Sequence, residues 1–434
     1  MLNTSSVQGK PVASGAPYLC PGFARARAWS GRRTYLIALI WICAAARYAT
    51  LVPELPRRAT DWNFDLYYVA GVAAMHGVDP ARTDIAPLGR SLHCHMPEQY
   101  FSNATLFSRM AFEGLAHLPL RDAYWTWTGV NLAALAAAIA ILLRVFALDA
   151  GVSAMLVGLL LLYPPVIDHL LLGETEFLLL FLLTAAFWLL RRNRDIPGGA
   201  LLAVAALAKV YPFAMGGYLI ASRKWAALFS AIVIGTAGIA LLTLIYGTSA
   251  WLSIIQLDSR DTFLWSSLNL SLSGFLTRMY WRAFTALHDQ TMRYALIVAA
   301  QLAIVALTYR TTRRRADEEQ AQCYALWIVA ILLLSPIVWL AYLSLLTFPI
   351  IVLAMNFARG RAGARTLAAM IVSAAILFSI APFAPGLAQS RPGRVALELQ
   401  FIALLSAYLS IYWLVKDGHA DGASGESFVG PDGA

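Results

Sequence analysis

The chain has 434 residues, of which 59% are hydrophobic and only 13% charged, with a mean hydropathy of +0.64 and a formal net charge of +9. A soluble domain is about one-half apolar and one-quarter charged, so this composition excludes an ordinary soluble enzyme and marks a polytopic membrane protein. The positive charge falls in short loops between apolar runs, where it orients the chain in a bilayer, which argues against nucleic acid as a partner.

Residues 1–33 carry Lys10, Arg25, Arg27, Arg32 and Arg33 and no acid, and read as a disordered cytoplasmic tail. The first apolar run begins near Tyr35 and is long enough for a retained anchor rather than a cleaved signal. An outer loop over residues 52–123 follows, opening with Asp61-Trp62-Asn63-Phe64-Asp65-Leu66-Tyr67-Tyr68. Asp61 or Asn63 caps a short helix that Gly77 ends, with Asp79-Pro80 beyond to stop it resuming. Asp65 falls in the first turn, where the helix dipole favours its ionised form. It is either a helix cap or a general base for a sugar hydroxyl at the membrane surface. Leu106, Phe107, Met110, Leu115 and Leu118 then recur at helical spacing, with Arg109 and Glu113 as an i,i+4 pair, which predicts an interfacial amphipathic helix. Tyr124-Trp125-Thr126-Trp127 begins an aromatic belt, and a span runs inward to Arg144.

Val152 to Ile167 reads as the next outward span, with Asp168-His169 and Gly173-Glu174-Thr175-Glu176 in the outer turn and Phe177 to Leu190 returning. Residues 196–221 lie between two basic inner loops. Parity then requires a hairpin of two short or re-entrant helices, with Lys209-Val210-Tyr211-Pro212 near its outer apex. Trp225 to Tyr246 leads to a second outer loop, residues 247–292, containing Asp258, Arg260, Asp261 and Asn269-Leu270-Ser271. Four further spans are expected: Arg293 to Tyr309, Cys323 to Trp339, Tyr342 to Phe357 and Thr366 to Leu387. Val395 to Val415 is the last, before a Gly/Asp-rich cytoplasmic tail at 416–434. Residues 34–415 are thus expected to form one all-α transmembrane domain of about 10–12 segments, with both termini cytoplasmic and no internal repeat.

This topology gathers Asp61, Asp65, Asp168, His169, Glu174, Glu176, Lys209, Arg260, Asn269, Arg278 and Trp339 on the outer face, and ionisable groups converging at the mouth of a bundle constitute a candidate site. Lys209 is either a snorkelling side chain or an ammonium aimed at a phosphate. Arg278 is either a belt arginine under Tyr280 and Trp281 or a bidentate phosphate ligand. The cysteines, Cys20, Cys43, Cys94 and Cys323, show no paired spacing, so no structural disulfide is expected. His93-Cys94-His95 and the Asp168–Glu176 acids lack repeated ligand spacing, and neither a metal nor a cofactor is expected. Gly-rich phosphate loops and Ser/His/Asp hydrolase motifs are absent, as is a folded cytoplasmic domain for a nucleotide. A transferase of this build takes its activated donor from the membrane.

Four stretches resemble glycosyltransferase family 87, the polyprenyl-phosphate-sugar-dependent mannosyltransferase-like family of the GT-C superfamily. Phe64-Asp65-Leu66-Tyr67-Tyr68 with Gly77-Val78-Asp79-Pro80 is similar to its D-x-x-Y-Y…G-x-D-P-Y. Gly173-Glu174-Thr175-Glu176 with Lys209-Val210-Tyr211-Pro212 is similar to G-Q-x-N…K-x-x-P. Asn269-Leu270-Ser271-Leu272-Ser273-Gly274 with Arg278 is similar to N-Q-S-L-x-G…R, and Ser335-Pro336-Ile337-Val338-Trp339 to S-P-x-S-W. The resemblance implies a GT-C-like bundle carrying short interfacial helices in its outer loops, in a bacterial inner membrane with the active site on the periplasmic face. It implies an inverting glycosyltransferase that moves mannose or a similar hexose, or arabinofuranose, from a polyprenyl phosphate to a cell-envelope glycolipid or polysaccharide. Asp65 is then the catalytic base, Lys209 and Arg278 bind the donor phosphate, and Asp61, Tyr68, His169, Glu174, Tyr211, Asn269 and Trp339 support them. Two departures stand out: Leu340-Ala341-Tyr342 replaces the family's histidine pair, and Glu174 and Glu176 replace its Gln and Asn. A transporter or flippase for a lipid-linked sugar is the alternative, with Lys209 as its one midplane charge; a structural subunit of an envelope-polymer complex is a third reading.

Overall fold

The computed structural model describes residues 30–58, 64–102, 104–251, 263–283, 290–313, 319–380, 384–387 and 390–423. Asp61, Asp258, Arg260, Asp261 and most of both expected tails lie outside the described residues. The described chain is built of helices and turns: α1 Ser30–Leu51, α2 Leu55–Arg58, α3 Phe64–Met75, α4 Ala86–Ser91, α5 Leu106–Leu115 and α6 Leu120–Phe146. Next come α7 Ala150–Leu162, α8 Pro164–Leu172, α9 Glu176–Arg191, α10 Asp195–Ala208, α11 Met215–Ala221 and α12 Trp225–Tyr246. The last are α13 Leu272–Ala283, α14 Gln290–Thr312, α15 Gln320–Leu334, α16 Thr347–Ala358, α17 Ala364–Ile380, α18 Ala384–Leu387 and α19 Arg391–Ala423. Two 3₁₀ segments, Tyr211–Ala214 and Leu340–Leu346, interrupt the series.

Among the described residues, six helices are long and apolar enough to cross a membrane: Arg33–Leu51, Leu120–Phe146, Trp225–Tyr246, Gln290–Thr312, Leu340–Ala358 and Pro392–Asp417. The protein is an all-α, multi-pass membrane protein. The pair α7 and α8 would form a seventh crossing bent by 53°, where the sequence suggests one straight span. Pro164 and Pro165 follow Tyr163 there and withdraw two backbone donors. Other expected crossings are shorter apolar helices, among them Asp195–Ala208, Gln320–Leu334 and Ala364–Ser379. α15 stops at Leu334, before Pro336, rather than at Trp339, whereas α19 continues past Val415 to Ala423.

Burial separates a hub from a lipid-facing wall. α15 is buried on every side from Ala321 to Leu333, as a helix apolar all round must be when it sits inside a bundle. α12 and α14 expose Phe229, Ile232, Leu244, Leu296 and Leu302, the pattern of surfaces that face hydrocarbon. α10 packs between α9 and α12, and α6 lies against α9.

The segment from α3 to α5 is a folded platform. α3 ends in a Schellman closure: Val78 N–H bonds the Ala73 carbonyl at 2.9 Å and Gly77 N–H bonds that of Ala74 at 2.9 Å, with Gly77 at φ +72° as the sequence suggests. Arg109 does not pair with Glu113. It reaches Asp79 at 3.2 Å and lies over the Tyr246 ring, while Glu113 accepts from the Tyr246 hydroxyl at 2.7 Å. Tertiary partners outbid an i,i+4 contact worth only a few tenths of a kcal/mol. α3 and α5 touch backbone to backbone at Gly71, where a Cβ would collide with the Phe112 peptide, whose carbonyl carbon would lie 2.6 Å away. Gly71→Ala should therefore lower stability by about 1–3 kcal/mol. Gly114→Ala, at a position on α5 with nothing within 4 Å, should be neutral or better. Thermal unfolding in detergent checks both.

Candidate active site

Asp65 sits in the first turn of α3, fully buried, and its Oδ1 accepts the Leu66 N–H at 2.8 Å. The helix start is fixed by Phe64, whose ring packs edge-on to Tyr124 at 5.3 Å and beside Phe112 at 5.9 Å. α8 ends against the same ring. Gly173 turns left-handed at φ +66°, and its carbonyl accepts from the Trp127 indole at 2.7 Å. A Cβ on Gly173 would sit 2.9 Å from that of Phe64. The first two motifs thus meet through Phe64 and Gly173, which delivers Glu174 to the side of α3.

Glu174 and Glu176, with side chains 2% and 0% exposed, both bind the Lys209 ammonium; the Glu174 contact is 3.2 Å. Lys209 is available because α10 ends there, its backbone turning extended at φ −143° and ψ 141°. The Ala208 carbonyl left without a helical partner accepts from the hydroxyls of Thr105 and Ser108, each at 2.9 Å. The start of α5 thereby holds the break in α10. A tyrosine collar surrounds the ammonium. Nζ lies 3.7 Å from the centre of the Tyr342 ring, Tyr342 stacks on Tyr211 at 5.9 Å, and the Tyr67 and Tyr211 hydroxyls lie 3.5 Å from Glu174 and Glu176.

Asp168 lies in α8 and is half-buried. His169 is buried and stacks on Phe177 at 3.6 Å, and its Nε2 accepts the Phe177 N–H at 3.2 Å. That bond makes His169 a neutral acceptor closing the free N-terminus of α9. Tyr68, expected at the site, turns away and donates to the Leu118 carbonyl at 2.9 Å; its neighbour Tyr67 is the one that reaches the cluster.

The third and fourth motifs form one unit beside this cluster. Asn269 is fully buried and satisfied on every side. Its amide donates to the carbonyls of Phe263 and Pro336 at 3.2 and 3.1 Å, and its Oδ1 accepts from Ser271 N and Val338 N at 3.0 Å each. Leu270 N–H adds a bond to the Val338 carbonyl at 2.7 Å, and Trp339 packs edge-on to Phe263 at 6.4 Å. Arg278, expected at a phosphate, instead grips Glu398 at 2.8 and 2.9 Å and the carbonyls of Ser266, Asn269 and Leu264 at 2.6, 3.0 and 3.5 Å. A guanidinium has five N–H donors, and these contacts occupy them. Of the expected site residues, Asp65, His169, Glu174, Lys209 and Tyr211 therefore converge, while Asn269, Arg278 and Trp339 brace the neighbouring segment. Sequence reasoning gave no role to Tyr67 or Tyr342, and spacing alone could not separate Tyr67 from Tyr68.

Above the cluster, desolvation pushes the Tyr100 hydroxyl up, with the Asp65 and Glu174 carboxylates adding to it. Burial pushes the Cys94 thiol up to about 12, again with Asp65 contributing. Among the described residues, no group of three His, Cys, Asp or Glu side chains is arranged to hold a metal ion.

Fold and cluster together define a multi-pass membrane protein with a built polar site where α8, α9 and α10 meet. Residues 106–336, more than half of the 434, match glycosyltransferase family 87, and the chain belongs to that family. The protein is accordingly a glycosyltransferase. No curated protein and no solved structure matches it. The matched residues include Glu174, Glu176, Lys209, Asn269 and Arg278 but open downstream of Asp65.

Two predictions follow from this geometry. Lys209→Met, which strands two buried carboxylates, should cost about 3–5 kcal/mol, part of it regained in the double variant with Glu176→Gln; a double-mutant cycle by thermal unfolding measures this. Cys94, whose thiol stays protonated well above neutrality, should resist maleimide at pH 8 in folded protein and react once the protein is unfolded, as mass spectrometry would read.

Proposed function

We propose that this glycosyltransferase takes its sugar from a polyprenyl phosphate and passes it, with inversion, to a hydroxyl of a cell-envelope glycolipid or polysaccharide at the outer face of the inner membrane. The observation that carries this reading is Asp65: a buried carboxylate at a helix N-terminus, beside a cluster holding one ammonium. Asp65 takes the proton of the acceptor hydroxyl, whose oxygen attacks the anomeric carbon. The new C–O glycosidic bond forms as the bond from that carbon to the phosphate oxygen breaks, and the electron pair leaves with the lipid phosphate. A single displacement of this kind inverts the anomeric centre.

Lys209 is the ammonium nearest this chemistry and is assigned to the charge that develops on the departing phosphate. Its two glutamates make that assignment conditional on charge balance, because the group as found carries two carboxylates to one ammonium. Sugar hydroxyls donating to Glu174 and Glu176 would draw their charge away from Lys209 as the phosphate comes to need it. Arg278 is assigned to positioning, since its donors are engaged elsewhere. The apolar wall on α12 and α14 suits a substrate carried on a long isoprenoid.

The test is transfer of radiolabelled sugar from polyprenyl-phosphate-mannose and, in parallel, polyprenyl-phosphate-arabinose, using membranes with wild-type protein or Asp65→Asn. Label should reach an acceptor with wild type from one of the donors and fall by roughly 10²–10⁴-fold in the variant. Full transfer by Asp65→Asn would remove the mechanism. Movement of the lipid-linked sugar across vesicles without a new glycosidic bond would replace it with the flippase reading.

A further inference from the structure

Glu398 lies in none of the motifs and beyond the residues matched to the family, yet it is the carboxylate to which Arg278 is tied. The side chains of Arg278 and Glu398 are only 7% and 9% exposed, and they meet in a two-point contact at 2.8 and 2.9 Å. A buried ion pair of this kind adds little net stability over an apolar pair, because both charges lose their water; what the two-point contact does supply is a fixed geometry.

The contacts that follow form a continuous series. With Nε and one Nη2 donor committed to Glu398, the rest of the guanidinium faces the carbonyls of Leu264, Ser266 and Asn269, so the orientation of Arg278 sets the path of that loop. Asn269 in turn fastens the loop to Pro336 and Val338. Val338 and Trp339 lead directly into the 3₁₀ segment Leu340–Leu346, which is longer than such turns usually run and has weaker internal bonding than an α-helix. That segment carries the Tyr342 ring that lies on Lys209. An intrinsically poor helix that holds a ring against the cluster needs an external brace, and the Asn269 unit supplies it.

We propose that Glu398 is a positioning residue for glycosyl transfer, acting from the last helix through Arg278 and Asn269 on the segment that brings Tyr342 to the Lys209 cluster, on the reading that transfer takes place at this cluster. Glu398 touches neither substrate nor reacting atoms. It fixes which way Arg278 points.

The experiment uses full-length protein in nanodiscs, as wild type, Glu398→Gln and Glu398→Asp, with transfer kinetics from the two polyprenyl-phosphate sugars and backbone hydrogen exchange measured on the same samples. Glu398→Gln keeps the volume and removes the charge. It should lower kcat roughly 100-fold, the cost of a small misplacement, and leave KM for the donor within about threefold. Amides in 264–271 and 335–346 should exchange faster in this variant, while α3 and α5 keep wild-type rates. Glu398→Asp, which keeps the charge but is one methylene shorter, should fall between the two. Should Glu398→Gln fail to fold, Glu398→Asp decides by the same readouts. Faster exchange with unchanged kcat would overturn the role, as would a lost kcat without faster exchange at 335–346, or a rise in KM alone. A wild type silent toward both donors, with exchange still quickened by the variants, would place the fault in the transfer reading; unchanged exchange would place it in the Glu398 relay.

Discussion

The polar site of this bundle depends on one ammonium held between two buried carboxylates. Placing Glu174, Glu176 and Lys209 out of water costs each its hydration, and their mutual contacts, together with the tyrosines around them, offset that cost. Everything nearby is arranged so that the three can meet. α8 must stop at Gly173 to present Glu174, α9 must start at Glu176, and α10 must break at Lys209. Three helix ends converging in an apolar setting leave backbone groups without helical partners, and side chains from elsewhere take them up. His169 accepts one N–H of α9, Thr105 and Ser108 donate to the last carbonyl of α10, and Trp127 donates to Gly173. Irregular backbone at the level of a membrane survives only when enclosed in this way.

The same requirement explains why α3 and α5 are packed together rather than loose. α5 carries both the hydroxyls that hold the α10 break and the arginine that holds Asp79 at the end of α3. Its close approach to α3 at Gly71 makes the two helices one plate. Asp65 is mounted on that plate, so its position relative to Lys209 is set through α5 twice, once from each side. A site built on helix ends rather than on free loops can hold its geometry within the narrow limits that group transfer demands.

Much of this was legible in the residues, and what was not has a common cause. The end of α3 at Gly77, the interruption at Lys209-Val210-Tyr211-Pro212 and the helix α5 all follow from local signals, namely a left-handed glycine, a proline and an apolar stripe. Partner identity is not local. Arg109 and Glu113 stand at ideal helical spacing and each chose a tertiary partner; Tyr67 and Tyr68 are equivalent by composition and only one faces the cluster. Arg278 shows this most clearly. A conspicuous arginine after an Asn-Leu-Ser run invites a phosphate, but its carboxylate stands 120 residues downstream in the final helix, where no spacing rule could connect them.

That distribution of charge bears on how Asp65 can work as a base. Had Asp65 been neutralised by Lys209, taking up a proton would leave a buried ammonium without its counter-charge, and proton transfer would be opposed by the full loss of an ion pair. Lys209 is instead held by Glu174 and Glu176, while Asp65 accepts the Leu66 N–H at the N-terminal end of α3. Stabilisation by a helix terminus is modest, typically below about 1 kcal/mol for each charge. On the proposed mechanism, assigning the ammonium to the glutamates rather than to Asp65 is what lets the base take a proton without dismantling the Lys209 cluster.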